Sequence, residues 1–200
     1  IDCCKANDRV FFCTCGVGFD AAVSQKFAEE KRRGSLTYIK NTVAEYLSYK
    51  PEPYELLVDN QTIKEKAFLV ACANASQYGN NAFIAPHANI QDGRMDLTIL
   101  SPFTPLDIAP LAIQLFTKQI DRNSKIKTMK AQQVTIIRQN PGVMHLDGEP
   151  VMADSRIDIS IMPQSLHVVT PEVVSFTEEV HNLFGEVTRF FDKKLPYIFR

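Results

Sequence analysis

A charge imbalance of either sign is missing from this sequence. Lys and Arg number 22 and Asp and Glu 23, a formal net charge of −1. A chain so balanced has no sequence-wide basic field, and no nucleic-acid partner is expected. Long apolar runs are missing too. None reaches about 18 residues, so no helix is expected to cross a bilayer. No signal-peptide pattern, internal repeat or low-complexity linker is visible. The five cysteines, Cys3, Cys4, Cys13, Cys15 and Cys72, contain no Cys-x-x-Cys pair. No His follows at finger spacing, so a zinc site is not expected. Free thiols suit a reducing, cytoplasmic compartment. Cys13 and Cys15 are expected on one face of a strand, packed as small apolar groups.

What is present is an ordinary globular balance, with 45% apolar and 22% charged residues in a chain of 200. That length suits one domain, with or without an appended element, and buries a core without disulfides or metal. RVFFCTC (9–15) predicts a strand, and Asp20 then caps a helix over 21–32. A second helix is expected over 36–49, ended by Pro51 and Pro53. YELLVD (54–59) and 62–75 predict a hairpin whose second arm, AFLVACA, is apolar enough to be covered on both faces. Further strands are expected at 94–101, 126–139, 143–147, 150–153, 156–162 and 165–170, with Val134, Ile136 and Ile137 in the core. A short helix is expected over 105–119, with Pro105 near its start. Thr170-Pro171-Glu172 opens an amphipathic helix reaching about Lys194. The sum is a mainly β, α+β domain of two packed sheets over 1–170, with a helical tail over 171–200.

Three loops carry candidate chemistry. In GVMHLDGEPV (142–151), Asp147 and Glu149 flank Gly148. On one strand they would share a face and converge. Such a pair suits a general base or a cation, and equally an acidic turn in water. In the long stretch 73–96, Asp92-Gly93 is a turn signal, and Asp92 and Asp96 with nearby carbonyls also suit a hard divalent ion. In GVGFDA (16–21), Asp20 is a helix cap or a contact for a substrate hydroxyl. Two local basic clusters, KRR (31–33) and KIKTMK (125–130), are either solvated faces or contacts for an anionic lipid surface or phosphate.

Taken together, FFCTCGVGFDAAV (11–23), VACANASQYGNNAFIAPHANIQDGRMDLTIL (70–100) and HLDGEPV (145–151) resemble the C-terminal domain of the diacylglycerol kinase-like lipid kinases. This family includes bacterial diacylglycerol kinases and the sphingosine and ceramide kinases. The resemblance covers roughly residues 1–170. It implies a β-sandwich that faces an N-terminal α/β domain whose Gly-Gly-Asp-Gly-Thr loop binds ATP. That loop is not in this sequence, which starts mid-pattern at Ile1. The chain is therefore expected to be the C-terminal half of an ATP- and Mg²⁺-dependent lipid kinase, inactive alone, or a protein without the other half. By the resemblance, Asp147 deprotonates the lipid hydroxyl and Glu149 assists. Asp20 contacts the lipid head group. Asp92 ligates a structural Mg²⁺ with the main-chain carbonyls of Asn89 and Arg94. Asn80 and Asn81 stand where many relatives have glycine. The expected partners are a lipid substrate such as diacylglycerol, the ATP-binding domain and, transiently, a membrane surface, with the protein cytoplasmic and peripheral. Self-association through the tail helix is a further expectation. The competing readings are a non-catalytic lipid-binding or interaction module and the related kinases that phosphorylate NAD.

Overall fold

The computed structural model describes residues 1–29, Tyr46 and residues 49–170 of the 200. The chain divides into two units, Ile1–His167 and Val168–Arg200. The expected helix at 36–49 apart from Tyr46 and Tyr49, the cluster 31–33 and the tail helix after Thr170 lie outside the described residues.

Among the described residues, short runs of β-branched and aromatic residues, broken by Asn, Asp and Gly turns, make twelve strands. They are β1 (Cys3–Ala6), β2 (Arg9–Phe11), β3 (Thr14–Gly18), β4 (Glu52–Val58), β5 (Gln61–Ala67), β6 (Leu69–Ala73), β7 (Met95–Leu100), β8 (Ile126–Ala131), β9 (Gln133–Arg138), β10 (Gly142–Leu146), β11 (Glu149–Ala153) and β12 (Arg156–Met162). The described residues also form the helices α1 (Phe19–Glu29) and α2 (Ile108–Phe116). One sheet has the order β2-β1-β12-β9-β4-β5, the other β11-β10-β3-β6-β7-β8. The two sheets share one core. Phe11, Leu56, Ile136 and Ile157 from the first meet Val17, Val70, Leu97 and Met144 from the second, all nearly or fully buried. Each such side chain stabilises the fold by on the order of 2 kcal/mol through the water it leaves. Ile137, expected inside, faces away from this core and is half-buried, as period-two alternation with Val134 and Ile136 requires.

The second sheet is covered on its outer face as well. Leu69, Ala71, Ala73, Ile84, Leu100 and Leu111 form a second cluster there, with Phe19, Phe103, Tyr46 and Tyr49 against it. This double cover explains the continuous apolar text of β6, in which every residue is buried. The region 105–119 begins as a 3-10 turn, Pro105–Asp107, before α2. The strand expected at 165–170 does not form. Leu166 exchanges two main-chain hydrogen bonds with Ile1 and the pairing goes no further.

Three expected strands are each two strands in different sheets. The run 9–15 breaks at Phe12–Cys13 between β2 and β3, 62–75 at Phe68 between β5 and β6, and 126–139 at Gln132 between β8 and β9. At each break the chain crosses from one sheet to the other. Apolar residues continue through the crossings because both sheets face the same core, so periodicity does not register them. Turn carboxylates hold two of the crossings. Asp59, at φ 48° between β4 and β5, accepts the N–H groups of Gln132 and Gln133 at 3.1 and 2.9 Å. Phe68 is fixed by its own main chain, donating to the Leu100 carbonyl at 2.7 Å and accepting from Phe19 N–H at 3.0 Å. Asp147 holds the first crossing. Cys13 consequently sits exposed at the break, and does not share a packed face with the buried Cys15.

Candidate active site

Strands β10 and β11 meet at a two-residue turn, with Leu146 opposite Glu149. Such a turn needs positive φ at both central positions, which favours Asp-Gly. Asp147 has φ 51° and Gly148 φ 87°. The two acids are therefore not alternate residues of one strand: Asp147 is in the turn, and Glu149 is the first residue of β11. The Asp147 carboxylate folds back onto the crossing between β2 and β3. Oδ2 accepts Phe12 N–H at 2.8 Å, and Oδ1 accepts Cys13 and Thr14 N–H at 2.7 and 2.9 Å. A carboxylate has about four lone-pair directions, and three are filled. The Glu149 carboxylate is exposed and has no hydrogen bond or ion pair among the described residues.

Behind the tip is a polar network on the outer face of the second sheet. Period two puts Met144 and Leu146 in the core and turns His145 outward under α1. His145 is buried at 1% exposure. Its Nε2 lies 3.1 Å from Asp20 Oδ2, and its Nδ1 accepts Gly148 N–H at a long 3.4 Å. With Nδ1 accepting, the ring proton is on Nε2 and donates to Asp20. The Tyr78 hydroxyl donates to the same Oδ2 at 2.8 Å, and Ala21 N–H to Oδ1 at 2.8 Å. Gly16 makes room for this meeting: a Cβ there would collide with the Asp20 carboxylate and with His145 Nε2. Asp20 thus stands inside the first turn of α1, not before it, and its carboxylate turns inward. It ties α1 and the 74–94 loop to the strand that carries the acidic tip. His145 and Tyr78 were not singled out in the sequence. The only signal for His145 was its place two residues before Asp147, on the opposite side of the strand from Leu146.

The loop between β6 and β7 is ordered by local turns. Asn80 and Asn81 adopt φ 47° and 61°, the left-handed region that glycine would fill. Buried Asp2 accepts Gly93 and Gln164 N–H, each at 2.8 Å, and Asn74 bridges the carbonyls of Asp2 and Phe12. Asp92 Oδ1 accepts Arg94 N–H at 3.1 Å, and the Asn89 carbonyl accepts Asp92 N–H at 3.4 Å. Asp92 Oδ2 lies 2.6 Å from the Lys130 ammonium. The described residues hold no group of three or more His, Cys, Asp or Glu arranged to bind a metal ion. The basic run 125–130 is divided among ion pairs, since Lys127 binds Glu65 at 2.9 Å and Lys130 binds Asp92.

A cleft of about 340 Å³ lies along α1, lined by Gly18, Ala22, Gln25, Tyr49, Tyr54 and Arg138 among others. It adjoins Gly142, at the far end of the five-residue strand β10 from the acidic tip, about 15 Å along the strand. Its wall is polar and largely committed. Burial raises the phenol of Tyr49 to about 12 and raises that of Tyr54 further, so both stay protonated. Arg138, whose guanidinium burial shifts down, donates to the carbonyls of Gly142, Val143 and Ala153 at 2.7–2.9 Å. It clasps the open end of the β10–β11 hairpin and presents no free donor array to an anion.

The family model for the YegS C-terminal NAD kinase β-sandwich-like domain matches residues 13–170. Over 173 residues the chain is 26% identical to a "Probable lipid kinase YegS-like" of Shewanella frigidimarina, a match covering 86% of this chain and 55% of that protein. It is 26% identical over 171 residues to a diacylglycerol kinase of Mycobacterium tuberculosis, covering 82% and 53% respectively. The crystal structure of a diacylglycerol kinase from Bacillus anthracis superposes with a TM-score of 0.57 at 17% identity, over 87% of this chain and 55% of that one. At that identity the superposition speaks for the fold. The chain spans little more than half the length of the relatives it matches. A two-sheet antiparallel sandwich with these crossings, matched by one family model across nearly all of its described strands, belongs to the YegS C-terminal, NAD kinase β-sandwich-like domain family.

Proposed function

We propose that this chain is the substrate-facing half of an ATP-dependent lipid kinase, which phosphorylates a hydroxyl of diacylglycerol or a related lipid. The reading rests on the acidic tip, a rigid turn with one carboxylate pinned and the other free, in a family whose named relatives are lipid and diacylglycerol kinases. Glu149 is the proton acceptor. The hydroxyl proton passes to its carboxylate, the alcohol oxygen bonds to the γ-phosphorus, and the bond to the bridging oxygen breaks to release ADP. Asp147 positions the tip through its three N–H contacts, a division of labour opposite to the one the resemblance suggested. Asp20 acts on the head group only through the placement of α1 and the tip. ATP and the Mg²⁺ that neutralises its phosphates belong to the other half of the intact enzyme, the part that this chain does not span in its relatives. A non-catalytic lipid-binding module is favoured by one observation, the structural use made of Asp147.

The test is a lipid panel with labelled ATP. The chain alone is expected to transfer no phosphate, and the full-length protein to phosphorylate one lipid class. Glu149→Gln in the full-length protein is expected to lower kcat by about 10²–10⁴, with the melting temperature unchanged. Wild-type turnover in that variant would remove Glu149 from the chemistry. No turnover on any lipid would favour the module.

A further inference from the structure

The resemblance places a divalent ion at Asp92, with the Asn89 and Arg94 carbonyls completing the site. The residues present do not fit that ion. Lys130 Nζ lies 2.6 Å from Asp92 Oδ2, 3.2 Å from Asp96 Oδ2 and 3.4 Å from the His87 carbonyl. An ammonium has three N–H bonds, and three oxygens surround it. A divalent ion needs its oxygens at about 2.0–2.6 Å, and one of the oxygens it would use already holds a fixed positive charge. The strand register delivers that charge. Lys130 of β8 is the direct cross-strand partner of Asp96 of β7, so its ammonium reaches both carboxylates with the backbone in its paired position. The Asp96 carboxylate needs a cation: Oδ2 is buried and makes no well-angled hydrogen bond, with Lys130 as its near charge.

We infer that Lys130 is a built-in cation that stands where a divalent ion would otherwise tie the 74–94 loop to the sheet, so the order of that loop does not depend on Mg²⁺ or Ca²⁺. The inference is independent of the kinase reading.

The experiment is thermal melting of the full-length protein without nucleotide, in EDTA and in millimolar MgCl₂ or CaCl₂, for wild type, Lys130→Met and Asp92→Asn. Wild type is expected to melt at one temperature in all three buffers. Lys130→Met is expected to melt several degrees lower in EDTA and to be raised by Ca²⁺, because removing the ammonium opens the oxygens. Wild type that loses stability in EDTA and regains it with Mg²⁺, while Asp92→Asn does not respond, would overturn the inference. A soluble Lys130→Met that melts like wild type in EDTA, or that shows no response to Ca²⁺, would reduce Lys130 to an ordinary ion pair and overturn it as well. If Lys130→Met does not fold, the comparison of wild type with Asp92→Asn decides alone.

Discussion

Asp147 and Asp59 do the same structural work at two ends of the sandwich. Each is an aspartate in a hairpin turn with positive φ, and each turns its carboxylate onto main-chain N–H groups where another strand changes sheets. Asn7, at φ 50° in the β1–β2 turn, likewise accepts Asp158 N–H at 2.9 Å with its amide oxygen, there within a strand that stays in one sheet. Donors at a sheet crossing have no ladder partner, and an Asx side chain two atoms long reaches them from a turn. This predicts a matched pair of variants. Asp147→Asn and Asp59→Asn each put an NH₂ where an N–H already points, and each should cost about 1–2 kcal/mol, read as a lowered urea midpoint. If Asp147 only positions the tip, its loss of turnover should recover in a stabilised background. Asp59→Asn should leave turnover per folded molecule unchanged. A large kcat defect in Asp147→Asn at full stability would return the base role to Asp147.

At the scale of elements, α1 and α2 differ in what they leave open. α1 packs on β3, β10 and β11 and supplies Asp20 to the network under the tip. α2 buries only Leu111, while Leu106 just before it is 88% exposed, and Ile113 and Phe116 are 64% and 57% exposed. No helix among the described residues is long and apolar enough to cross a membrane. An apolar helix lying on a sheet can instead rest in the interface of a bilayer. Vesicle flotation checks this. Replacing Leu106, Ile113 and Phe116 with Ser should weaken binding to diacylglycerol-containing vesicles by more than tenfold, since each CH₂ withdrawn from the bilayer costs roughly 0.8 kcal/mol, with melting unchanged. Unaltered vesicle binding together with loss of a dimer in sedimentation would assign the face to a second copy of the chain.

In the unit Ile1–His167 the main core lies between two sheets, and the thiols report on it. Cys3, Cys4, Cys15 and Cys72 are buried and Cys13 is exposed, all five free. Burial raises the Cys4 thiol to about 12 and those of Cys15 and Cys72 higher still. Cys13 is raised less, by partial burial and then by the nearby Asp147 charge. Thiolates are the reactive form, so Cys4, Cys15 and Cys72 are silent in the folded state, and Cys3 is shielded by its burial. Native labelling with a disulfide reagent should therefore modify Cys13 alone, slowly, and all five after denaturation. Fast labelling of two or more thiols in the native protein would show that the sandwich opens.

Composition and local pattern were sufficient for the strand-rich class, the β4–β5 and β10–β11 hairpins, the doubly covered β6 and the turn at Asp92-Gly93, because each depends on residues adjacent in the chain. The sheet crossings at Phe12, Phe68 and Gln132 were not readable, because an apolar run looks the same whether it stays in one sheet or passes to the other across a shared core. Nor was the fate of the acids. Asp147 is spoken for by N–H groups about 135 residues away, Asp20 by His145 and Asp92 by Lys130. A carboxylate's chemistry is set by the donors and charges that reach it through space, and only the folded chain brings those together.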